Sequence, residues 1–262
     1  MGMRTIKEII ARLQISSDPE PWMVELEGDL RLGVKSALLK WQRQYDKKEL
    51  IQKAYESKIA FDRSFTPFQG ALVAGVDEAG RGPLAGPVVT AAVILPEDTH
   101  ELIGLDDSKT VSKKNRDLFA EKIRRIAIDF SVHVQSAVSV DEMNIYAATR
   151  DSMELSVKNL STKPHFVIVD AMALKLSCPT ASIVKGDAKS LAIAAASILA
   201  KTARDSIMDD VHKDYPAYNF INNAGYGTKE HLEALKIHGP CEHHRKSFEP
   251  IKSMNLGKGS GK

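Results

Sequence analysis

The chain is 262 residues long, 43% hydrophobic and 27% charged, which is ample for a sizeable core and excludes a disordered or collagen-like polypeptide. Lys and Arg number 36 against 34 Asp and Glu, a formal net charge of +2, so the whole-chain balance lacks the strongly basic signature of a nucleic-acid-binding domain. Two cysteines, Cys178 and Cys241, make no disulfide framework and fit a reducing compartment. The apolar runs Val88–Leu95 and Leu191–Ala200 fall short of the ~20 residues that span a bilayer, and the start carries no secretory h-region. The expectation is a cytoplasmic globular protein.

Charge is unevenly placed. Residues 1–65 hold 12 basic and 10 acidic groups, residues 240–262 hold 5 and 2, and the middle is left slightly acidic. Ile6, Ile9, Ile10 and Leu13 share a helical face, and Ser16–Pro21 breaks it. Val34, Leu38, Trp41 and Tyr45, then Leu50, Ile51, Ala54 and Tyr55, make a second stripe, with Lys40, Arg43, Lys47 and Lys48 among them. This prefix reads either as an amphipathic helix with a solvated polar face or as a grip on nucleic acid or a partner. Phe65–Gly70 looks like a joint, giving a helical extension over 1–65, a main body over 71–250 and a flexible tail over 251–262.

In the body, Leu72–Val76 and Val88–Leu95 read as strands joined by a Gly- and Pro-rich segment. Ser112 can cap a helix carrying Leu118, Phe119, Ile123 and Ile126. Phe130–Val138 alternates like a strand, Val140–Leu160 is helical by period, Phe166–Val169 is a buried strand, Ala181–Val184 a short one, and Ser190–Ile207 an Ala-rich helix. Strands in succession followed by strands alternating with helices predict an α/β sandwich around a mixed sheet.

Two acidic positions share one structural address. Leu72-Val-Ala-Gly-Val-Asp77-Glu78 and Phe166-Val-Ile-Val-Asp170 are apolar strands that end abruptly in a carboxylate, and strand C-terminal ends are where ligands bind in open α/β sheets. Either Asp alone reads as a turn cap; together, on neighbouring strands, they would reach one cation. Asp187 lies 17 residues beyond Asp170, ahead of the Ala-rich helix, where an N-cap is the plain alternative. Carboxylates without Cys or His select a hard cation such as Mg²⁺, and two such ions about 4 Å apart can activate a water and stabilise the leaving oxygen in phosphodiester hydrolysis.

The sharpest local signal is Asp77-Glu-Ala-Gly-Arg-Gly-Pro-Leu-Ala-Gly-Pro87. Gly80 and Gly82 flank Arg81, so this is either a tight turn or a loop whose backbone approaches a ligand closely enough to bond a sugar hydroxyl, the group that separates RNA from DNA. Tyr226, between two glycines, is either a packed turn residue or a ring that stacks on a base or sugar. Lys185–Ser190 lacks the adjacent Gly-Lys-Ser/Thr of a phosphate loop, Cys241-Glu-His-His244 lacks zinc spacing, and no Gly-x-Ser-x-Gly elbow occurs.

Taken in order, Gly75–Pro87, Asp107-Ser-Lys109, Val169-Asp170, Lys185-Gly-Asp187, Ala194–Lys201, Arg204-Asp205, Gly225–Thr228 and His244–Phe248 resemble the ribonuclease HII family over residues 71–250. The resemblance implies an RNase H-like α/β fold with a five-stranded mixed sheet flanked by helices, a helical C-terminal region, and a helical N-terminal extension found in some bacterial members. It implies Mg²⁺- or Mn²⁺-dependent cleavage of RNA in RNA–DNA hybrids, incision 5′ of ribonucleotides embedded in duplex DNA, 5′-phosphate ends, and two divalent ions per site when substrate is bound. It further implies a monomeric enzyme. Matched residue by residue, Asp77, Glu78, Asp170 and Asp187 would be the catalytic and metal-binding tetrad. Gly80, Arg81 and Gly82 would read the 2′-OH and backbone, Tyr226 would stack on the following deoxyribose, and Lys109, Ser190, Lys201 and Arg204 would be phosphate contacts.

Ala224 departs from the family pattern, which usually has Lys there, and Lys229 is a possible substitute. The neighbouring ribonuclease HIII family typically has Thr where Arg81 stands and a β-rich N-terminal domain. A hybrid-binding protein without activity is the alternative of another class.

Overall fold

The computed structural model describes residues 5–108 and 110–256. The chain divides into two compact units, Met1–Glu56 and Ser57–Lys262. The division falls within a long helix, upstream of the joint expected at 65–70.

The first unit is helical. Thr5 and Glu8 form a reciprocal capping box at the start of α1 (Ile6–Ile15), and Pro21 opens α2 (Pro21–Glu27). The third helix, α3 (Leu32–Arg63), begins in this unit and ends in the second. Ile9, Leu13, Met23, Leu26, Val34 and Trp41 form the core of the first unit, and the Trp41 indole N–H donates to the Ser16 carbonyl at 2.8 Å.

The second unit is built on five strands: β1 (Val73–Ala79), β2 (Val88–Ile94), β3 (Asp129–Gln135), β4 (Phe166–Asp170) and β5 (Thr180–Ile183), ordered β3-β2-β1-β4-β5. β2 pairs antiparallel with both β1 and β3, while β4 pairs parallel with both β1 and β5. The mixed sheet expected from the sequence is therefore present, with β1 at its centre. Its helices are α4 (Lys113–Ile126), α5 (Ala137–Met143), α6 (Ile145–Lys158), α7 (Gly186–Lys189), α8 (Leu191–Asp214), α9 (Phe220–Asn223), α10 (Lys229–His238) and α11 (Ile251–Leu256).

Strand alternation decides what faces the site. Ala74, Val76, Val167 and Val169 bury against Met153 and Val157 of α6 and Leu160 just beyond it. Gly75, Asp77, Ile168 and Asp170 therefore face the opposite side, where α8 packs. The approach is close: a Cβ on Gly75 would lie 2.2 Å from the Ala192 carbonyl carbon, so only glycine admits α8 at this point of β1.

Three expectations are corrected. β3 ends at Gln135 rather than 138, because Ser136 caps α5 with a bond from the Ser139 N–H. The single helix expected over 140–160 is two, divided at Asn144, which has φ 70° and accepts the Tyr146 and Ala147 N–H groups as the cap of α6. The tail expected from 251 starts as α11, anchored by the buried Ile251; residues 257–262 lie outside the described part.

The last turns of α3 are fixed by polar contacts within the second unit. Lys58 is buried and donates to the Leu105 carbonyl at 3.0 Å and to Asp106 at 2.9 Å. Asp62 accepts the Ala192 N–H at 3.0 Å, at the start of α8, and burial pushes its carboxyl up to about 6.

Candidate active site

Parallel pairing of β1 with β4, with Val76 beside Val169, sets Asp77 next to Asp170 at the C-terminal ends of the two strands. Asp77, Glu78 and Asp170 each present an oxygen such that the three atoms lie within 4.8 Å of one another. Asp187 is not one of these three. It is buried in α7, accepts the Ala188 N–H at 2.9 Å, and adds to the negative field on Asp77. Its loop is tied to the cluster, since the Gly186 N–H donates to Asp170 at 2.6 Å.

The electrostatics of the group are unfavourable on their own. Burial, then the charges of Glu78, Asp170 and Asp187, hold the Asp77 carboxyl well above the usual carboxylate range. Burial also raises Glu78, opposed by the Arg81 guanidinium at 3.4 Å. Glu78 Oε2 is buried and has no hydrogen-bond partner among the described residues. A buried, unbonded carboxylate oxygen among like charges is costly, and a hard cation on this all-oxygen donor set would satisfy it. The residues present therefore fit a divalent ion, held by Asp77, Glu78 and Asp170 with Asp187 beside them.

The loop of residues 80–87 joins β1 to β2 and borders the cluster. Gly80 has φ 95°, and a Cβ there would lie 2.1 Å from Arg204 Nε. A Cβ on Gly82 would meet the Tyr226 ring at 3.5 Å, so the loop and the exposed tyrosine stand side by side. The Leu84 N–H donates to the Gly225 carbonyl at 2.8 Å and links the two segments.

The family model described as Ribonuclease HII matches residues 74–251, and the one described as Ribonuclease HII N-terminal domain matches residues 5–66. The chain belongs to the ribonuclease HII family. It is 44% identical to the Ribonuclease HII of Geobacillus sp. (strain WCH70) over 100% of this chain and 95% of that one. Identity to the Ribonuclease HII of Bacillus cytotoxicus is 46%, covering 97% and 98%. The solved ribonuclease H2 of Pyrococcus horikoshii OT3 superposes with a TM-score of 0.63 at 26% identity, covering 72% of this chain and all of that one. A solved Bst-RNase HIII has the same fold, with a TM-score of 0.54 at 15% identity over 76% and 73%. As a ribonuclease HII, the chain is an endoribonuclease of RNA–DNA hybrids and depends on a divalent metal ion.

Not every residue matched to the ribonuclease HII pattern sits where a substrate contact would. Arg204 is fully enclosed and donates to the carbonyls of Pro87, Ala224 and Ala85 at 3.0, 2.9 and 3.1 Å. Ser190 is buried as the cap of α8, bonded by the Ile193 N–H at 3.0 Å. Both side chains bond the protein's own backbone. Lys201 is paired with Asp205 at 2.6 Å, and Lys109 lies outside the described residues. Lys229 opens α10 and is exposed.

Sequence reasoning assigned no role to Arg245, although its His-Arg-Lys-Ser-Phe block carried part of the resemblance. Arg245 is 0% exposed and spends every N–H donor on the loop. Nε and Nη2 donate to Gly86, Nη2 also to Gly80, and Nη1 to Arg81 and Pro83. An arginine that grips carbonyls looks, in a sequence, like one that grips phosphate. No helix among the described residues is long and apolar enough to cross a membrane.

Proposed function

We propose that this chain incises duplex DNA on the 5′ side of embedded ribonucleotides, as well as cutting the RNA strand of hybrids, and leaves 5′-phosphate ends. The observation that carries the reading is the convergence of Asp77, Glu78 and Asp170 within 4.8 Å, with a buried unbonded Glu78 oxygen, beside a glycine loop pinned by two buried arginines. Asp77 and Asp170, with Glu78 and Asp187 beside them, are the residues that would hold the metal. The cation is Mg²⁺ or Mn²⁺, two per site with substrate bound; when bound, these ions supply activation of water and stabilisation of the leaving oxygen.

The protein's own groups do the selecting. Arg245 and Arg204 consume the carbonyls on the inner side of the loop, so the backbone at Gly80, Arg81 and Gly82 is held rigid toward the substrate and reads the 2′-OH. Tyr226 stacks on the following deoxyribose and disfavours RNA at that step. Lys109 and Lys201 contact phosphates, with Lys229 taking the place left by Ala224. The enzyme works as a cytoplasmic monomer.

The test is a DNA duplex carrying one ribonucleotide, incubated with Mg²⁺ or Mn²⁺. The expected product is a single nick 5′ of the ribonucleotide, and Asp170→Asn should slow it by about a hundredfold or more. Cutting of long hybrids only would favour a ribonuclease HIII-like specificity. An Asp170→Asn protein at full rate would overturn the metal site.

A further inference from the structure

Two histidines in the second unit take no part in the reading above. His231 in α10 and His244 beyond it are both buried, with their Nε2 atoms 2.9 Å apart. Two ring nitrogens at that distance share one proton, so one ring donates and the other accepts. The neighbours decide the direction. The Cys241 N–H donates to His244 Nδ1 at 3.0 Å, so that nitrogen is unprotonated and the His244 proton sits on Nε2. His244 Nε2–H then donates to His231 Nε2, which leaves the His231 proton on Nδ1. That proton faces the Tyr226 carbonyl at 2.9 Å.

The bonds thus run in one direction, from the Cys241 amide through two neutral imidazoles to the backbone of Tyr226. The same carbonyl accepts the Thr228 N–H at 2.8 Å, and the Tyr226 N–H donates to Asn223. The rings sit against Tyr218, 4.8 Å from His244, and Phe220, 5.3 Å from His231. The other titratable groups around them are Cys241 and His243, with Tyr215 and Glu242 beyond, and His238 beside Tyr218. The Arg245 guanidinium turns away to the loop carbonyls, and no carboxylate among the described residues hydrogen-bonds either imidazole. Burial lowers both histidines, His244 to about 4, so the neutral pair persists at neutral pH.

We propose that His231 and His244 are positioning residues for substrate discrimination, holding the Tyr226 backbone so that its exposed ring stands against Gly82 at the spacing that accepts a deoxyribose. This rests on Tyr226 stacking on the sugar that follows the ribonucleotide. A structural filler of the same volume would keep the fold without fixing the ring, and the two roles separate experimentally.

The readout is the ratio of cleavage of a single ribonucleotide in duplex DNA to cleavage of a uniform RNA–DNA hybrid. Tyr226→Ala should lower this ratio, and His231→Leu should lower it in the same direction, by about tenfold. His231→Asn, which keeps a donor near the Nδ1 position, should stay closer to wild type, and His231→Leu with Tyr226→Ala should shift the ratio no further than Tyr226→Ala alone. A wild-type ratio in His231→Leu while Tyr226→Ala shifts it would overturn the relay. An unshifted ratio in Tyr226→Ala would overturn the stacking role itself. Independently of any variant, imidazole ¹⁵N spectra of the full chain at pH 7 should give opposite neutral tautomers, Nδ1–H for His231 and Nε2–H for His244. Matching tautomers, or a protonated ring, would contradict the relay.

Discussion

Gly80 and Gly82 are two residues apart and are required for different reasons. Gly80 is needed by the fold: its φ of 95° and the Arg204 guanidinium 2.1 Å from a would-be Cβ leave no room for a side chain. Gly80→Ala should therefore cost about 3 kcal/mol or more of stability, seen as a lowered denaturant midpoint, along with activity. Gly82 has only ordinary contact distance to Tyr226. Gly82→Ala should keep its unfolding free energy within about 0.5 kcal/mol of wild type while losing activity on the single-ribonucleotide duplex. Equal unfolding of both variants would reduce the loop to a structural turn. At this scale the sequence showed that the loop was special, through Gly-Arg-Gly, but not which glycine serves the fold. That distinction depends on Arg204, more than a hundred residues downstream.

Among the elements, those with a strong period were legible and those made by caps were not. The strands β1 and β4 announced themselves as buried runs ending in Asp, and parallel pairing brought those ends together. The break at Asn144 and the early end of β3 were hidden, because apolar spacing continues across both while one capping side chain redirects the backbone. The packing of α10 against the segment containing His244 was likewise invisible, since nothing local marks two histidines 13 residues apart as partners. Their pairing has a pH consequence. His244 is nearly inaccessible and its folded value lies near 4, below the ordinary 6.5. The unfolded chain therefore binds the extra proton first, and stability is lost as pH falls from about 6.5 to about 4. Compared with His244→Gln, wild type should lose about 3 kcal/mol more across that window in denaturant titrations. Parallel pH profiles for the two proteins would refute a buried neutral imidazole.

For the whole molecule, a net charge of +2 suggested little about nucleic acid. The reason lies in the composition of the site: buried carboxylates subtract from the basic count, and bound cations reverse their local sign. The fold then concentrates those carboxylates where β1, β4 and the α7 loop meet, and Arg204 and Arg245 are spent internally on backbone carbonyls. Composition therefore understates the acidic centre and overstates the free basic surface.

The most direct test of this account is the thermal stability of wild type and Asp77→Asn with and without Mn²⁺. Without metal, Asp77→Asn should melt higher than wild type, because burial and the neighbouring Glu78, Asp170 and Asp187 make an ionisable carboxyl at this position unfavourable. Mn²⁺ at about a hundred times its Kd should raise the wild-type Tm by about 5–10 °C and leave Asp77→Asn unmoved. A wild-type Tm insensitive to Mn²⁺, or an equal rise in the variant, would contradict a metal centre built on these carboxylates.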